Sequence, residues 1–147
     1  MRIYTIGFRE KTAERFFQLL KDNHIKQIID IRENPITQLA GFTKKDDLAF
    51  FTHEVLRGSY LHLPELSPDK RIRSDYKLSK DWDRYVEDFL NLMKLREIDK
   101  WLIENQRLFI HPFVLLCSEP TPDRCHRSIV AEILKERLFR DAEIIHL

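Results

Sequence analysis

Four consecutive apolar residues, Phe113 to Leu116, run through Cys117 into a polar turn that holds Pro120 and Pro122. Behind the turn Ile129, Val130, Ile133, Leu134 and Leu138 recur at helical spacing. A short apolar run bounded by turn residues reads as a buried strand, and the pattern after it reads as a helix. This stretch concentrates polar chemistry where the strand ends: Cys117, Glu119, Arg124, Cys125, His126 and Arg127. Open α/β sheets place ligand sites at such an edge, where a strand's carboxyl end faces a helix N-terminus.

The rest of the chain repeats the strand-then-helix alternation. Arg2 to Ile6 suits a first strand ending at Gly7, and Thr12 caps a helix whose buried face is Ala13, Phe16, Phe17 and Leu20, with Asn23 as its stop. Ile25 to Ile31 is short and β-branched, so it reads as the second strand. Asp30 and Arg32 share a side there, because side chains repeat every two residues. Pro35 ends regular structure. Thr43 is the expected cap of a helix with Asp46 and Asp47 at its positive end and Leu48, Phe51, Val55 and Leu56 on its apolar side. Gly58 is its expected left-handed stop.

Ser59 to Leu63 reads as the third strand, closed by Pro64. Residues 65–80 carry Lys70, Arg71, Arg73 and Lys77 without core periodicity, and read as a long loop that covers or binds something. From Asp81 a strong helical stripe runs through Trp82, Tyr85, Val86, Phe89 and Met93. Ile98, Trp101 and Leu102 fall out of phase with it, so a break is expected near Leu95. Thr121 and Pro122 resemble an N-cap and first helical residue, and Ala142 to Leu147 reads as the last strand. The expected fold is a single three-layer α/β domain over residues 1–147, a mostly parallel sheet of about five strands with helices on both faces. It is Rossmann-like without the Gly-rich fingerprint, since Gly7, Gly41 and Gly58 are the only glycines and spell neither a dinucleotide nor a Walker loop.

Composition bounds the partners. With 43% hydrophobic and 33% charged residues the 147-residue chain is of soluble globular type, and no apolar run nears the ~20 residues of a membrane span. A formal net charge of +1 gives no overall pull toward nucleic acid. The N-terminus lacks an apolar signal segment, so the two cysteines are expected as free thiols in a cytoplasmic protein.

In a parallel sheet the strand ends share one rim, which brings Gly7, Asp30, Arg32, His62, Glu65, Glu119, Cys125, His126 and Arg127 together. Arg32 and Arg127 can clamp a phosphate or carboxylate; the competing reading is an internal pair of Arg32 with Asp30 or Glu119. Helical spacing of ~100° per residue puts His126 near the middle of the apolar face, Cys125 at its edge and Arg127 toward the rim. His126 then reads as a core histidine held by a loop carbonyl, or as an acid or base. Cys125 packs as a small hydrophobe, or gains thiolate character from the helix end and Arg124 and Arg127, against Glu119 and Asp123. His62 beside Glu65 suits proton transfer or a plain surface pair. Cys117 and Arg124 stand one residue too far apart for a phosphotyrosine-phosphatase-like loop. Zinc on Cys117, Cys125 and His126, with His62 or Glu119, is geometrically awkward because Cys125 and His126 are adjacent. No metal or cofactor is expected.

Thr5-Ile6-Gly7, Asp30-Ile31-Arg32 with Pro35, Tyr60-Leu61-His62-Leu63-Pro64-Glu65-Leu66, Cys117-Ser118-Glu119 and Cys125-His126-Arg127 occur in that order. Together they resemble the domain-of-unknown-function family 488, over nearly the whole chain. The chain departs from the family pattern at Phe8-Arg9, where His-Ser is common, and at Ser67, where glycine is common. The resemblance implies an α/β fold and a polar pocket made of these motifs, and brings no reaction. Three functions are expected in order. The first is an enzyme on a phosphate-bearing small molecule or nucleic-acid-related substrate, with Asp30, Arg32, Arg127 and Gly7 binding and Glu119, Glu65, His62, His126 or Cys125 reacting. The second is a binding module for nucleic acid or protein through the basic 70–77 segment. The third is a thiol redox or metal switch at Cys117 and Cys125.

Overall fold

The computed structural model describes residues 1–36 and 41–147. Five strands, β1 (Arg2–Gly7), β2 (Gln27–Asp30), β3 (Ser59–His62), β4 (Phe113–Cys117) and β5 (Glu143–His146), form one parallel sheet in the order β3-β2-β4-β1-β5. The helices are α1 (Ala13–Asp22), α2 (Lys45–Leu56), α3 (Lys70–Ser79), α4 (Trp82–Leu95), α5 (Ile98–Glu104) and α6 (His126–Arg137). None of them is long and apolar enough to cross a membrane.

The pleat divides the core. Tyr4, Ile6, Ile28, Val114 and Leu116 pack with Phe16, Phe17 and Leu20 of α1 and Leu48 and Leu56 of α2. Ile3, Ile29, Phe113 and Leu115 pack on the other face with Ile72, Tyr85, Phe89, Met93, Ile98, Leu102, Val130 and Leu134 from α3 to α6. The expected three-layer α/β architecture is therefore present. Because β4 lies between β1 and β2, the loops that leave it and its neighbours depart toward opposite faces, the arrangement at which open α/β sheets place their ligand sites.

Thr12 caps α1 as expected, accepting from the Arg15 amide at 3.1 Å, and Asn23 ends it. The expected break after Leu95 is present between α4 and α5. Four local expectations need correction. Residues 65–80 are a short 3-10 turn, Pro64–Leu66, followed by α3; Asp69 caps that helix through the Ile72 amide at 2.9 Å. Ile72 is its sole buried residue, so no apolar stripe advertised it. Thr43 ends a 3-10 turn, Gly41–Thr43, and Lys44 stands at the cap of α2. Arg57 takes the left-handed stop with φ 52°, while Gly58 is needed because a Cβ there would strike the Lys26 carbonyl. Finally, α6 starts at His126 with Cys125 as its N-cap, leaving Thr121 and Pro122 in the turn.

Candidate functional site

Gly7, Asp30, His62 and Cys117 are the last residues of β1, β2, β3 and β4, with Gly7 opposite Cys117 and Asp30 opposite both His62 and Leu116. Alternation along each strand sends their side chains to different faces. The rim thus holds two polar clusters, one on each side of the sheet.

On the α1–α2 side, Asp30 is fully buried and holds Arg32 by two charge-assisted bonds, Nε to Oδ1 at 2.8 Å and Nη2 to Oδ2 at 2.7 Å. The Arg32 amide also donates to Oδ1 at 3.1 Å, and Nη2 donates to the Thr43 carbonyl at 2.6 Å. Tyr60 donates its hydroxyl to Oδ2 at 2.6 Å, and burial with the Asp30 charge raises that hydroxyl's pKa. The guanidinium lies 5.4 Å from the centre of the Phe8 ring. Arg32 is therefore taken up by an internal ion pair, and its partner is Asp30. Glu119 pairs elsewhere.

On the α3–α6 side, Arg127 is the largest fully buried side chain in the protein. From the first turn of α6 it reaches the carboxyl end of β4 and the loop beyond, where it is buried. Its Nη1 donates to the Cys117 sulfur at 3.0 Å and to the Glu119 carbonyl at 2.5 Å. Gly7 makes this possible, since a Cβ there would fall on that carbonyl oxygen and 2.6 Å from Nη1. Gly7 thus admits the loop after β4, which the Arg9 amide also binds through the Ser118 carbonyl at 3.2 Å. Arg32 and Arg127 approach the edge from opposite faces, and the expected two-arginine clamp does not assemble.

Cys117 and Cys125 are free thiols whose sulfurs stand 2.9 Å apart, 1% and 2% exposed. Among the described residues Arg127 makes no ion pair with a carboxylate. A guanidinium keeps its charge under all ordinary conditions, so a buried one needs an anionic partner. The sulfur of Cys117 is the group placed to supply it. Burial alone would push the Cys117 thiol up, but the hydrogen bond from Cys125 and the charge and hydrogen bond of Arg127 outweigh burial and pull it down. Cys125 moves the other way: it keeps its proton for the bond to Cys117, and burial adds to the rise.

The remaining candidates surround this centre. His126 Nε2 donates to the Ile31 carbonyl at 2.8 Å, which ties the start of α6 to the end of β2. Burial pushes His126 down to about 4, with that carbonyl opposing the fall, so its ring is neutral. His62 Nε2 likewise donates to a carbonyl, that of Arg32, at 2.6 Å. Glu65 sits in the 3-10 turn with Oε2 buried and unpartnered, and no hydrogen bond joins it to His62 among the described residues. The Glu119 carboxylate faces outward to Arg9 at 3.5 Å while its backbone serves Arg127. No group of three or more His, Cys, Asp or Glu is arranged to hold a metal among the described residues. In the basic segment, Arg71 pairs with Asp75 and Asp88, and Arg73 with Glu33.

Three residues that sequence reasoning passed over belong here. Tyr85, stacked between Trp82 and Phe89, has its hydroxyl pKa raised by burial and by the negative field of Cys125 and Cys117. Lys11 is half-buried, and burial and the Arg127 charge lower its pKa while Cys117 opposes. Tyr60 completes the Asp30 cluster. What each of the three touches depends on how distant segments meet, which only folded geometry supplies. Cys117, weighed in the sequence as a zinc ligand and as a switch partner, lies at the centre of this cluster.

No curated protein and no solved structure matches the chain. A family model described as domain of unknown function DUF488 matches residues 12–134, which include the Asp30 and Arg32 pair, both cysteines and Arg127. With most of its length covered by that model, the chain belongs to the DUF488 family.

Proposed function

We propose that the protein works through a redox-active dithiol, with Cys117 as the thiolate and Cys125 as the thiol that closes onto it. The observation that carries this reading is the wholly buried Arg127, which donates to the Cys117 sulfur and pairs with no carboxylate among the described residues. A low-pKa cysteine at a strand end beside a cation is the usual setting of a reactive thiol. A second thiol within hydrogen-bond distance gives it an immediate partner. Closing the disulfide releases two electrons to a small acceptor and one proton from Cys125.

The test is oxidation of the folded chain with diamide, followed by alkylation after denaturation. Both cysteines are expected to resist alkylation, and a digest is expected to yield the Cys117 and Cys125 peptides joined. Reduction should restore them. Two alkylatable thiols after oxidation would refute the dithiol.

A phosphate-bearing ligand is the second reading. It is favoured by buried guanidinium nitrogens without a partner, Nη1 of Arg32 and Nε and Nη2 of Arg127, although these are divided between the two faces. Saturable binding of inorganic phosphate by calorimetry, lost in Arg127→Gln, would establish it.

A further inference from the structure

A groove of about 590 Å³ runs between α4 and α6, starting at the turn that precedes Cys125. Its floor is apolar. Trp82, Val86 and Leu90 stand at intervals of four along α4 and face Ile129 and Ile133 of α6. Tyr85, Phe89 and Met93 already take the core side of α4, so this second stripe is apolar surface beyond what the core requires. The rim of the groove is acidic. Asp123, Glu132 and Glu136 line it against a single cation, Arg124. Among the described residues none of these three carboxylates makes an ion pair. A complementary occupant therefore brings an apolar side chain flanked by positive charge.

The chain itself presents such a group. At the end of α3, Lys77 and Lys80 flank Leu78, which at 87% is the most exposed large apolar residue among those described. Neither lysine makes an ion pair among the described residues. Lys80 takes the left-handed stop of α3 with φ 56°, and Asp81 at once caps α4, so the tip stands on a tight corner between two helices. Tyr76 packs against Trp82 with ring centres 5.7 Å apart, which sets this corner beside the Trp82 end of the groove. Tip and groove thus adjoin, and a two-fold axis next to Trp82 lets each of two copies offer one and receive the other. We propose that the protein forms an isologous dimer in which Leu78 of each copy seats on the groove floor of the other, with Lys77 and Lys80 against Asp123 and Glu132. The contact covers the turn from Pro122 to Arg124. It stands apart from the dithiol reading and needs no reactive thiol.

Sedimentation velocity of the full chain over a range of micromolar concentrations tests this. The wild type should sediment with twice the mass of the chain. Leu78→Glu should raise the dissociation constant roughly tenfold or more, the worth of one buried leucine. Asp123→Lys with Glu132→Lys should weaken the dimer too, as should Lys77→Glu with Lys80→Glu. All five positions are exposed, so each variant should keep the circular dichroism of the wild type. Joining the two charge reversals in one chain should restore the dimer that either pair alone weakens. A wild type that stays monomeric at every concentration overturns the proposal and leaves the groove to a different protein. A dimer indifferent to Leu78→Glu, or to the reversed rim, overturns it as well, because the copies then meet through another face. So do charge reversals that fail to rescue each other. Oligomers that keep growing with concentration would show a contact that does not close, and would overturn the reciprocal pairing.

Discussion

Arg127 sets the energetics of the site at the scale of single residues. Its charge is out of water, and its hydrogen-bond partners among the described residues are the Cys117 sulfur and the Glu119 carbonyl. If Cys117 is the thiolate of the proposed dithiol, Cys117→Ser removes the charge facing Arg127 while nearly preserving shape, and it should destabilise the fold by about 3–5 kcal/mol, the usual cost of stranding one half of a buried pair. Adding Arg127→Met should recover most of that loss, and urea midpoints of the two single variants and the double variant would measure the coupling. The pH dependence has two separable parts. His126 titrates at about 4 when folded against 6.5 when free. Below 6.5 the unfolded chain therefore binds a proton that the native chain refuses. Stability should fall as pH drops from 6.5 to about 4, by on the order of 3 kcal/mol, and His126→Gln should flatten that limb of the urea-midpoint profile. Cys117 titrates below the ordinary thiol value of 9.0, so stability should rise with pH up to that value. Above it Cys125, which keeps its proton when folded, reverses the slope.

At the scale of elements, α3 shows where the sequence was legible and where it was opaque. Strands and amphipathic helices announce themselves by what they bury; β4 is buried throughout, and α4 buries Tyr85, Phe89 and Met93 at helical spacing. α3 buries Ile72 alone and is held by a cap and ion pairs, so its residues passed for a loop. The turn before it is clamped by Arg96, whose Nη1 donates to the Glu65 and Ser67 carbonyls at 2.9 Å and 2.6 Å. Such a helix leans on its first turn. Asp69→Ala should cost about 1 kcal/mol and speed amide exchange in residues 70–73 more than elsewhere, as hydrogen exchange would register. The start of α6 shows the same limit: Thr121 and Pro122 carry a convincing start signal, but the helix is capped four residues later, by Cys125.

At the scale of the whole molecule, five short segments with helical patterns between them were enough to expect a parallel sheet covered on both faces, and the strand-end motifs were enough to expect a shared rim. The division of that rim was beyond reach. Whether Arg32 and Arg127 converge depends on which face each strand end presents and on strand order, and neither is written in local pattern. The order β3-β2-β4-β1-β5 has a further consequence. β1 and β2 never touch, and the gap between them waits for a segment that lies more than eighty residues downstream of β2. A chain emerging from synthesis holds an unfilled slot until Phe113–Cys117 arrives, and the segment that fills the slot delivers the Cys117 sulfur with it. Cys117 therefore reaches its place between its neighbours only once the middle of the sheet is filled, and Cys125 and Arg127 follow it on the same stretch of chain.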